Sequence, residues 1–104
     1  MVEKYERDGK VAVLISTGYG AGWSTWNGEH AEALTFDRDI VEAVLAGDIA
    51  EAIAIAKAKY PDGYYGGASD LAVMWLDKGA QFEIEEYDGS ESLHVIGSRV
   101  YMTA

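Results

Sequence analysis

Residues 18–28, Gly18-Tyr19-Gly20-Ala21-Gly22-Trp23-Ser24-Thr25-Trp26-Asn27-Gly28, interleave four glycines with two tryptophans and a tyrosine. Glycine lets a backbone turn sharply and approach a ligand closely, and the aromatic rings offer flat faces for stacking. Ser24, Thr25 and Asn27 add neutral hydrogen-bonding groups. The set suits a ring-bearing ligand such as a nucleobase or a sugar, and each stacked base contributes about 1–3 kcal/mol. A second, smaller segment, Tyr64-Tyr65-Gly66-Gly67, repeats the glycine-aromatic chemistry and is expected to face the first. The candidate ligand-binding residues are therefore Tyr19, Gly20, Gly22, Trp23, Ser24, Thr25, Trp26, Asn27, Tyr64 and Tyr65. Two other readings stand beside this one. The tryptophans can cap the core under a long connection, or they can anchor a contact between copies of the chain in a homo-oligomer.

Known phosphate cradles fit the loop poorly. Trp23 stands where the dinucleotide fingerprint needs its third glycine, and the phosphate-loop lysine is missing. Trp26 likewise replaces the second glycine of a nucleophile elbow around Ser24. His30 and His94 have no diagnostic sequence neighbour, and capping or surface pairing accounts for Asp70, Arg38 and Arg99 as well as ligand recognition does. The reading leans to binding rather than catalysis, with no catalytic residue, metal ligand or cofactor assigned.

The acidic stretch 83–92 is the second chemical feature. Glu83 and Glu85 share one strand face, with Glu86, Asp88 and Glu91 around a turn at Asp88-Gly89. Such carboxylates can protect a sheet edge, dock on a basic host protein, or, as Glu86, Asp88 and Glu91, hold a cation for a small metal-assisted hydrolase. The spacing of an EF-hand loop is missing.

The chain has 104 residues, eighteen acidic against eight basic, and a net charge of −10. That charge repels nucleic acid and anionic lipid, so neither is an expected partner; a small ring-containing ligand or a host protein is. No cysteine occurs, which removes disulfides and thiolate chemistry. The apolar runs fall well short of the roughly 18 residues of a membrane span, and a charged N-terminus argues against a secretory leader, so a cytoplasmic setting is expected.

The elements that must position these residues follow from periodicity. Residues 11–15 form a continuous apolar run with β-branched Val11, Val13 and Ile15, the pattern of a central strand buried on both faces, after a turn at Asp8-Gly9. Residues 29–34 suit a short helical turn. Asp37 opens a helix carrying Ile40, Val41, Val44 and Leu45, which Gly47 ends. Asp48, with Glu51 three residues on, opens another whose stripe is Ile49, Ala52, Ile53, Ala56 and Tyr60, and Pro61 stops it. Strands are expected over 71–76, 81–87, 93–96 and 99–103, the last two joined by a hairpin at Gly97-Ser98. The order predicts a single α+β domain, 1–104, with one sheet of about four to five strands and two helices packed on one face.

The strings at 20–27 and 85–92, with Tyr65-Gly66-Gly67 between them, resemble small uncharacterised proteins of tailed bacteriophages and prophages, over residues 11–95. The resemblance implies a host-cell cytoplasmic setting, in which phage accessory proteins of this size inhibit host proteins or sequester nucleotide signals used in antiviral defence. It assigns no role to any single residue.

Overall fold

Strand β2, Lys10–Ser16, organises the molecule: every residue in it after Lys10 is buried. A strand alternates its side chains, so Val11, Val13 and Ile15 enter one apolar cluster while Ala12 and Leu14 enter another on the opposite face. A computed structural model describes residues 3–95 and 102–104 of the chain. The expected hairpin at Gly97-Ser98, and Arg99, lie outside the described residues.

On one edge β2 pairs antiparallel with β1, Glu6–Arg7. Asp8 and Gly9 join them with φ of 52° and 78°, both in the left-handed region that a two-residue hairpin turn with right-handed twist requires. On its other edge β2 pairs antiparallel with β3, Leu71–Asp77, over its full length, Lys10 opposite Asp77 and Ser16 opposite Leu71. The helical layer between them comprises α1, Ala31–Phe36, α2, Arg38–Leu45, and α3, Ile49–Lys59. The Asp37 carboxylate accepts the N–H groups of Asp39 and Ile40 at 3.0 and 3.2 Å, starting α2, and Asp48 accepts that of Glu51 at 3.0 Å, starting α3. Gly47, at φ 77°, separates them. The expected stripes of α2 and α3 pack over Ala12 and Leu14, except that Leu45 is exposed.

The mixed class agrees with expectation; the architecture does not. The expected single sheet is two antiparallel sheets of three strands each among the described residues. The second orders β5, Ser90–Val95, against β4, Gln81–Tyr87, against β6, Met102–Thr103. The reason lies in β2. With Val11, Val13 and Ile15 on one face and Ala12 and Leu14 on the other, helices on a single side would leave three β-branched residues wet, at about 1.5–3 kcal/mol each. Phe82 is fully buried against that face, with Ile84 and Leu93 packed beside it and the Phe36 ring at the end of α1 edge-on to its own, so the second sheet and the end of α1 together cover it. Three helices form rather than two, because the short turn foreseen at 29–34 is a formed helix at Ala31–Phe36, and this helix joins both clusters, Leu34 entering one and Phe36 the other. No helix of the described residues is long and apolar enough to cross a membrane.

Candidate functional site

Three glycine-bearing turns converge at the end of β2. A Cβ at Gly67 would press on the carbonyl oxygens of Gly22 and Ala21, at 2.6 and 2.7 Å, so the two glycine-aromatic segments meet backbone to backbone. Gly89, at φ 89° in the turn between β4 and β5, has no room for a side chain against Gly20 and Ala21, and the Gly20 N–H donates to the Asp88 carbonyl at 2.7 Å.

Into this junction β5 sends the side chain of Glu91, which is buried. Its Oε1 accepts the Ser16 N–H at 2.9 Å. Its Oε2 accepts the N–H groups of Trp23 and Thr25, at 2.8 and 3.0 Å, and the Thr25 hydroxyl at 2.6 Å. The loop thus points two alternate N–H groups, of Trp23 and Thr25, at an anion, and the anion is the chain's own carboxylate. Glu91 is therefore committed inside the fold. Glu86 is elsewhere engaged, its Oε2 accepting the Gly89 N–H at 2.7 Å and the Trp26 Nε1–H at 3.3 Å. The arrangement does not present Glu86, Asp88 and Glu91 as a common ligand set.

The ten candidate residues fall into two groups. Trp23 is completely buried; its Nε1–H donates to the Leu34 carbonyl at 2.8 Å and its ring packs on Tyr65, centroids 5.4 Å apart. Burial pushes the Tyr65 hydroxyl above the ordinary tyrosine range, and that hydroxyl donates to the Tyr60 carbonyl. Asn27 is buried as a clamp between the two aromatic segments. Its amide donates to the carbonyls of Trp23, at 2.7 Å, and Tyr64, at 2.8 Å, while its side-chain oxygen accepts the Tyr64 N–H at 2.6 Å. Thr25 is bound to Glu91, and Gly20 and Gly22 line the backbone junction.

Trp26, Tyr64 and Tyr19 make up the accessible group, 42, 54 and 73% exposed. Trp26 and Tyr64 stack on each other, centroids 5.8 Å apart and planes 25° off parallel. Because the Asn27 side chain, next in sequence to Trp26, bonds the backbone of Tyr64, the pair is fixed by the fold itself. Tyr19 has no aromatic partner among the described residues.

Beside this segment, a recess of about 410 Å³ opens between residues 24–31 and β4, lined by Ser24, Thr25, Gly28, Ala31, Glu83 and Ile84, with Met102. The Ser24 hydroxyl is buried without a hydrogen-bond partner among the described residues. Such an orphan is uncommon in a folded interior, where the cost is about 1–3 kcal/mol. A larger, open groove of about 520 Å³ runs between α2 and α3, remote from the aromatic loop and lined by Asp39, Glu42, Glu51 and Lys59. Its one cation is already paired: the Lys59 ammonium binds Asp39 at 2.8 Å and Asp37 at 3.1 Å.

Both histidines acquire neighbours that spacing could not reveal. His30 Nε2 lies 2.8 Å from Asp62, whose carboxyl is held below the usual aspartate range by that bond, and His94 lies 3.4 Å from Glu85. Arg38 pairs with Glu42 and Glu3, and Asp70 presents its carbonyl to Thr17.

Comparison of the chain with protein-family models, curated proteins and solved structures finds no match.

Proposed function

We propose that the protein is a small binding protein that holds a ring-bearing, nucleotide-like ligand at the Trp26–Tyr64 pair without transforming it. The observation that carries this reading is an exposed, prearranged aromatic stack on two loops that buried Asn27 locks together. A ring added to such a stack contributes about 1–3 kcal/mol and meets little reorganisation cost. The neighbouring recess, lined by Ser24, Thr25 and Glu83, supplies space for the rest of the ligand. The resemblance to tailed-phage proteins adds a setting, interference with host nucleotide signals, in which sequestration is the useful act.

The test is titration of the chain with adenosine and guanosine monophosphate, followed by tryptophan emission and calorimetry, in wild type, Trp26→Ala and Tyr64→Ala. Saturable binding lost in both variants, with folding intact, supports the reading. Equal binding in the variants, or none in wild type, removes it. Native mass spectrometry of freshly purified protein reports any retained small molecule and the subunit number together.

A further inference from the structure

Glu29, His30 and Asp62 each offer one possible ligating atom, and those atoms all lie within 4.8 Å of one another. Glu29 and His30 are adjacent in the 3-10 turn Gly28–His30, and Asp62 follows Pro61 in the turn leaving α3. Asn27 already ties these two loops together, so the trio forms without a long excursion of either.

The imidazole is aimed by its surroundings. Its ring packs on Tyr60, centroids 5.0 Å apart, while the backbone N–H of His30 donates to the Asn27 carbonyl at 2.8 Å. His30 Nε2 and Asp62 Oδ1 are hydrogen-bonded at 2.8 Å, so an ion taking both would replace that proton and part the two atoms to the roughly 3.0–3.4 Å between adjacent ligands bound at about 2.1 Å. Neither Glu29 nor Asp62 is paired with a lysine or arginine among the described residues. Two carboxylates and a nitrogen donor thus stand together, uncompensated by any fixed cation, on a chain of net charge −10. The other histidine offers a contrast, because His94 faces Glu85 in an ordinary pair and belongs to no such trio among the described residues.

We propose that Glu29, His30 and Asp62 bind one divalent first-row transition ion, of the zinc and manganese class, through one imidazole nitrogen and two carboxylate oxygens. The mixed nitrogen and oxygen donor set favours these ions over calcium or magnesium, which take oxygen alone. Three protein ligands leave coordination positions open to water or an oxyanion. The site stands independently of ring binding at Trp26 and Tyr64, and the metal alone is its probe.

Calorimetric titration of the full chain with Zn²⁺ tests it, together with His30→Gln and Asp62→Asn, both checked for native circular dichroism. Binding of one equivalent is expected, weakened more than about tenfold in either variant, since even an outer-shell partner is worth that much. In parallel, Mn²⁺ is expected to broaden the ring resonances of His30 before those of His94. No saturable Zn²⁺ binding, binding that both variants leave unchanged, or broadening that reaches His94 first would each overturn the proposal.

Discussion

One carboxylate oxygen of Glu91 accepts both the hydroxyl and the backbone N–H of Thr25, at 2.6 and 3.0 Å, across 66 residues of sequence. With Trp23 and Ser16 donating to the same carboxylate, a residue from the second sheet holds the shape of the loop that follows β2. Charge-assisted bonds of this kind are about twice as strong as neutral ones. The loop owes its geometry to them as much as to its glycines.

Replacing Glu91 by alanine orphans three N–H groups and a hydroxyl. Each orphaned buried donor costs about 1–3 kcal/mol, entering water offsets part of that, and the net loss of stability is about 2–4 kcal/mol by urea denaturation. Formate, a carboxylate without a chain, is expected to raise the unfolding midpoint of Glu91→Ala and leave wild type unmoved. A variant as stable as wild type would show that the carboxylate is not what holds the loop.

The two tryptophans of the loop should separate cleanly. Trp23→Ala empties a core site and removes the bond to Leu34, lowering stability by about 3–5 kcal/mol. Trp26→Ala removes a half-exposed ring and one aromatic pairing, worth about 1 kcal/mol. Thermal and chemical unfolding of the two variants side by side decide the matter. Equal losses would mean that the Trp26–Tyr64 pair is part of the core.

At the start of α2, the hydrogen bond from Lys59 holds the Asp39 carboxyl below its ordinary value of 3.8. A carboxyl whose folded pKa is depressed contributes stability that is present above its unfolded pKa and is lost as pH falls through the folded one. The difference in melting temperature between wild type and Asp39→Asn is therefore expected to be steady near neutral pH, to narrow below pH 3.8 and then to vanish. Lys59, raised chiefly by the same bond, works in the opposite sense: its contribution is complete below its ordinary value of 10.5 and fades as pH rises through the folded one. Both groups are well exposed and screened, so the effect is small. A difference that grows as the solution is acidified would contradict the pairing.

Much of the local structure was legible in advance. Asp37, Asp48 and Gly47 mark helix ends where expected, and Asp8-Gly9 and Asp88-Gly89 turn the chain with both residues at positive φ. The run 11–15 announced a strand buried on both faces. That burial demands cover on both faces, and the second sheet supplies most of it on the side away from α2 and α3. A strand's need for cover is written in its own residues, whereas the identity of the cover depends on where a distant Phe82 comes to rest.

The candidate site divides along the same line. Composition and spacing alone determined that the aromatic residues at 19, 23, 26, 64 and 65 would lie on glycine-rich turns, because turn chemistry involves only a few consecutive residues. Tertiary structure decided which of them face water: Glu91 draws the backbone of Trp23 inward, Asn27 joins its segment to Tyr64, and Trp26 is left outside. The gathering of Glu29 and His30 with Asp62 is equally a product of that clamp. Burial and hydrogen bonding are settled by partners from other parts of the chain, and no local pattern carries their addresses.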